Sequence, residues 1–115
     1  MTIHALLVLA DPFFNVNRKD AIHRTAFENY PAIFQWREFV ELGGLMSFGP
    51  NITKLYKQAG KMAAGILNSG AVPGVWEPME PNDFELVVKK STANGLNLLP
   101  LPAAVTDYPT FEEIP

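Results

Sequence analysis

The residues best placed to do chemistry in this 115-residue chain gather at three corners, each following an apolar run. They are Ala10-Asp11-Pro12-Phe13-Phe14, Gln35-Trp36-Arg37-Glu38 and Ser47-Phe48-Gly49-Pro50. The Asp11 carboxylate can accept hydrogen bonds from the ammonium of an amino acid, and the forked guanidinium of Arg37 suits a solute carboxylate. Ser47 and the Gly49 backbone N–H can donate to the same carboxylate. Phe13, Phe14 and Trp36 can wall an apolar pocket, because clefts for small solutes are mostly apolar with a few placed polar groups.

Each position also has a plainer reading. Asp11 before Pro12 can be a turn or a helix cap, and Arg37 can pair with Glu41 at the i, i+4 spacing. Gly49-Pro50 can simply end a strand. The three aromatics can be core, or can face a partner.

Other chemistries find little support. His4 and His23 lie on a predicted strand and a predicted helix with no third ligand at metal spacing, so no metal is expected. The chain has no cysteine, which removes disulfides, thiolate zinc sites and a Cys nucleophile. Gly43-Gly44 and Gly60 with Gly65 fit neither phosphate-cradling fingerprint, and no cofactor is expected. Ser47 has no evident base, and Glu112 with Glu113 read as a solvated surface pair in the tail; an enzyme is not expected. A net charge of −3 with scattered Lys and Arg argues against nucleic acid.

The elements that must hold these corners follow from patterning. Apolar residues make up 48% of the chain and charged ones 18%, enough hydrophobic material for one folded unit. Ile3–Leu9 reads as a strand buried on both faces, as in parallel sheets. Asn15 or Asn17 caps a helix to about Asn29, stopped by Pro31. Ala32–Gln35 is a strand, Arg37–Leu42 a short helix ended by Gly43-Gly44, and Leu45–Phe48 a strand. Alternation of this kind predicts parallel units with right-handed crossovers.

Asn51 or Thr53 opens the clearest helix. Its Ile52, Leu55, Tyr56, Ala59, Met62, Ala63, Ile66 and Leu67 recur by threes and fours, and Asn68-Ser69-Gly70 ends it. Pro73, Pro78 and Pro81 make residues 71–82 an extended crossover. Asp83–Lys89 predicts a fourth strand, Ser91–Leu96 a helical turn or two capped by Ser91 or Thr92, and four further prolines leave residues 100–115 as an irregular tail.

The stretch PAIFQWREFVELGGLMSFGPNITKLYKQAGKMAAGIL, with DFELVVKKSTANGLNL after it and ALLVLADPFF before it, resembles the C-terminal half of the ABC transporter substrate-binding family that includes tryptophan and tyrosine uptake receptors. The resemblance runs from His4 to about Leu99. It implies an α/β fold with a three-layer, mostly parallel sheet, like one lobe of a type I periplasmic binding protein plus a returning strand and helix. On that pattern residues 1–70 form the lobe, 71–82 the crossover, 83–99 a strand and helix belonging to the other lobe, and 100–115 the tail. It also implies a small-molecule solute of the aromatic amino acid kind, an importer permease as partner, and a periplasmic or cell-surface location.

Asp11 falls where that family places a polar residue facing the cleft. The resemblance leaves the first lobe and an export segment unmatched, and LPLPAAVTDYPTFEEIP diverges from the family's usual final helix. A receptor of this kind would close around its solute on a hinge and dock on the importer in the closed form. The competing expectation is a shortened chain without solute binding, whose open sheet edges pair with a second copy, with the Pro73–Pro81 segment as the natural arm to exchange.

Overall fold

A computed structural model describes residues 2–115. The elements run in the order β1 (Leu6–Leu7), α1 (Pro12–Val16), α2 (Arg18–Phe27), β2 (Ala32–Phe34), α3 (Arg37–Glu41), β3 (Met46–Pro50), α4 (Ile52–Ser69), a 3-10 turn (Pro73–Val75), β4 (Phe84–Lys89), α5 (Lys90–Gly95), α6 (Ala103–Thr106) and β5 (Phe111–Ile114). The five strands form one sheet in sequence order, β1-β2-β3-β4-β5. Three of its four pairings are parallel, and β3 with β4 is antiparallel.

Two apolar layers sandwich the sheet. On one face, Phe34 and Ala32 of β2 meet Ile22 of α2 and Phe39 of α3. The rings of Phe34 and Phe39 stack with centroids 4.8 Å apart, a geometry that contributes beyond area alone. On the other face, Val88 of β4 and Leu45 pack with Ala93 of α5, Leu99, Leu101 and Val105 of α6. Helices on both faces of a mostly parallel sheet bury each strand's alternate side chains in different layers.

The N-terminal strand differs from expectation. Instead of a run buried on both faces, β1 is a two-residue edge strand, with Leu7 69% and Leu9 68% exposed. Among the described residues it has a neighbour on one side only, β2. The helix expected from Asn15 or Asn17 is α2, which starts after Asn17 and ends at Phe27, and a further short helix, α1, precedes it. Asp11 caps α1 by accepting from the Phe13 N–H at 2.7 Å, Pro12 occupies its first turn, and α2 begins after Asn17.

The C-terminal third differs more. β4 and α5, expected to return to another lobe, belong to this sheet and its second layer, because β4 pairs with β3 over five residues. Residues 100–115, expected as an irregular tail, contain α6 and β5. β5 lies parallel to β4 in the register Leu86↔Phe111 to Lys89↔Ile114. Neither Ser91 nor Thr92 caps α5, whose cap position is Lys89; the Thr92 hydroxyl instead donates to the Gly43 carbonyl at 3.0 Å.

The helix at α4 is as expected in extent and in its Asn51 cap, whose side chain accepts from the Lys54 N–H at 3.1 Å. Gly70 ends it in the left-handed region at φ 65°, which a Cβ would strain. No α4 residue is fully buried, because its apolar face meets only the chain that follows. Trp76 lies against the helix at Gly65, where a Cβ would come within 2.8 Å of the indole ring.

Residues 51–82 thus leave the carboxyl end of β3 and return to the start of β4 as an arm. The Asn51 N–H donates to the Asp83 carbonyl at 3.4 Å, Asn51 Nδ2 donates to Glu85 at 3.1 Å, and Lys54 pairs with Asp83 at 3.3 Å. No helix among the described residues is long and apolar enough to cross a membrane.

Candidate functional site

In open α/β sheets the crevice beyond the carboxyl ends of the strands is where ligands sit, since the loops there diverge and leave backbone groups unpaired. Here that end holds two depressions. An apolar groove of about 470 Å³ is lined by Leu7 to Ala10 after β1, Ile33 to Gln35 of β2 and its end, and Phe48 of β3. A polar depression of about 360 Å³ is lined by Arg37, Glu38, Glu41, Pro50 to Thr53 and Glu85.

The groove's apolar lining follows from strand alternation. Leu7 is opposite Ile33, and Ile33 is opposite Met46, so these side chains share a face with Phe48 two residues on. Phe48 is 40% exposed and stacks on Phe84 at 5.7 Å, with Tyr108 edge-on at 5.4 Å. Among the lining residues, Gln35 has a buried side-chain carbonyl oxygen with no hydrogen-bond partner. A buried acceptor left unmade costs about 1–3 kcal/mol.

Gln35 is held in place by Gly49. A Cβ at Gly49 would collide with the Gln35 carbonyl oxygen and press on its side chain, so only glycine lets the ends of β2 and β3 approach this closely. Gly49 serves here by having no side chain.

The sequence-predicted residues fall in different places. Asp11 is on the surface and its carboxylate is engaged as the α1 cap. Phe13 is 66% exposed and meets Phe14 edge-to-face at 5.6 Å. Trp36 packs against the α2–α3 layer, with its indole N–H buried and unpartnered. Ser47 is fully buried, its hydroxyl likewise without a partner, and it stands opposite Phe34 and Val87 within the sheet. Arg37 alone of the six lines the polar depression; Gly49 adjoins both depressions between Phe48 and Pro50.

Arg37 is already bound. Nε donates to Glu41 at 2.9 Å, as the i, i+4 spacing predicts, and the two terminal nitrogens donate to both carboxylate oxygens of Glu112 at 2.6 and 2.8 Å. The Glu112 hydrogen bonds raise the Arg37 pKa, and the guanidinium holds the Glu112 carboxyl below its ordinary range. Glu112 and Glu113 are therefore not a free surface pair: Glu113 accepts from Lys90 at 3.1 Å, and both sit on β5. Among the described residues no group of three metal-ligating side chains occurs.

Gln35, Phe48, Asn51 and Glu85 also line these depressions and lay outside the six sequence-based candidates. Gln35 and Phe48 belonged to the quoted corners, and their place as the last residues of the expected strands Ala32–Gln35 and Leu45–Phe48 was the available signal. The Asn51–Glu85 pairing carried none, because it joins positions 34 residues apart.

No protein-family model and no curated protein matches the sequence. Two solved structures share the fold. One is a conserved domain protein from Vibrio cholerae O1 biovar El Tor strain N16961, with a TM-score of 0.82 and 23% identity over 95% of this chain and 36% of that one. The other is the ABC domain in complex with L-Trp from Streptococcus pneumoniae, with a TM-score of 0.85 and 22% identity over 98% of this chain and 38% of that one. The chain thus shares the α/β fold of these two structures, and it spans little more than a third of the length of either neighbour.

Proposed function

We propose that this chain supplies one wall of a solute-binding cleft, taking a small amino acid-like molecule with an apolar side chain, in a receptor of an ABC importer. The observation that carries the reading is the unpartnered Gln35 side-chain oxygen, set in an apolar groove at the carboxyl ends of β1 to β3. An apolar lining with one oriented acceptor suits a solute that has a hydrophobic body and an N–H donor. The L-Trp in the complex of the Streptococcus pneumoniae neighbour is such a molecule, which supports the class of ligand.

On this reading the role is binding without a chemical step. Phe48 and the strand-end leucines would contact the apolar body, Gln35 would accept from the donor, and Arg37 would stay tied to Glu112 beside the cleft. A permease as docking partner and a periplasmic or cell-surface setting belong to the same proposal. They rest on the family resemblance of the quoted segments.

A thermal shift series with free amino acids tests it. A ligand that binds only the folded chain raises stability by about 2.7 kcal/mol at roughly a hundredfold excess over Kd. L-Trp or a related amino acid is expected to raise the midpoint of the wild-type chain, and Gln35→Leu is expected to abolish the rise. A flat response to the whole panel, at millimolar concentrations, would count against the proposal.

A further inference from the structure

We draw no further inference here: the strongest candidate, the exposed apolar face of α4 on which Tyr56 and Leu67 lie, carries none because nothing in the structure shows what covers it.

Discussion

Arg37 grips both carboxylate oxygens of Glu112 across 75 residues of sequence, joining the start of α3 to the last strand. Because β5 is bound to the sheet only through β4, this pair is a second fastening for the C-terminal strand. Its two-pronged geometry is what makes it specific, since a lysine at 37 could not match both oxygens.

Glu112→Gln is therefore expected to destabilise the chain at neutral pH. With the Glu112 side chain 49% exposed, solvent screening limits the loss to about 0.5–1 kcal/mol. The pH dependence has a definite sign. The folded-state pKa of Glu112 is lowered from its ordinary 4.5, so the pair stabilises above that value and the contribution fades as pH falls through the lowered one. Urea unfolding of wild type and variant should differ at pH 7 and converge as pH falls through the lowered pKa of Glu112; a constant difference would show that the loss is not electrostatic.

Gly49→Ala is expected to cost more. The new methyl has no room beside the Gln35 backbone, so β2 and β3 must part at their carboxyl ends, and overpacking of this kind costs about 1–3 kcal/mol. The same shift moves Gln35. Any amino acid that stabilises the wild-type chain should stabilise this variant less, a comparison that thermal shift makes directly.

Trp76→Ala is expected to act locally. The indole lies on α4 at Gly65 and is the largest side chain holding residues 71–82 to that helix. Limited proteolysis should cut the variant between Ala71 and Asn82 about tenfold faster, equivalent to ~1.4 kcal/mol of local opening, while the unfolding of the sheet changes little. Equal acceleration at sites in β3 and β4 would show that arm and sheet unfold together.

Much of the sheet was legible because its central strands announce themselves. Ala32–Phe34, Met46–Pro50 and Phe84–Lys89 are short apolar runs between turn residues, and all three occur within a residue or two of the expected limits. Asn51 was readable as a cap, since a helix start needs a side-chain acceptor for its free N–H groups. β5 was not readable. Phe-Glu-Glu-Ile looks like solvated surface until Arg37 and Lys90, brought by the fold from 75 and 23 residues away, supply a cation for each carboxylate. Local spacing cannot report such partners.

The opposite failure occurred at β1 and α4. An apolar run or stripe says that a surface is fit for burial but not what buries it. Ile3–Leu9 reads as buried on both faces and the α4 residues as one apolar face, and the structure leaves Leu7, Tyr56 and Leu67 largely exposed. At the candidate site the polar corners were easy to name and their engagement was not. Asp11 and Arg37 are occupied by the Phe13 N–H and by Glu41 and Glu112, whereas Gln35, a residue with no charge to draw the eye, keeps an unmade hydrogen bond.

The register Pro50↔Phe84 makes β3 and β4 neighbours at the very point where the arm departs and returns. The two strands are in effect a hairpin with α4 and its Trp76 strap as the loop. Loop-closure entropy grows only with the logarithm of length, so an insert of this size costs the hairpin about 2 kcal/mol relative to a tight turn. Its greater effect is on speed, because pairing β3 with β4 must wait for a long excursion to close. Splicing in a two-residue turn would lower the contact order of the sheet and hasten its folding.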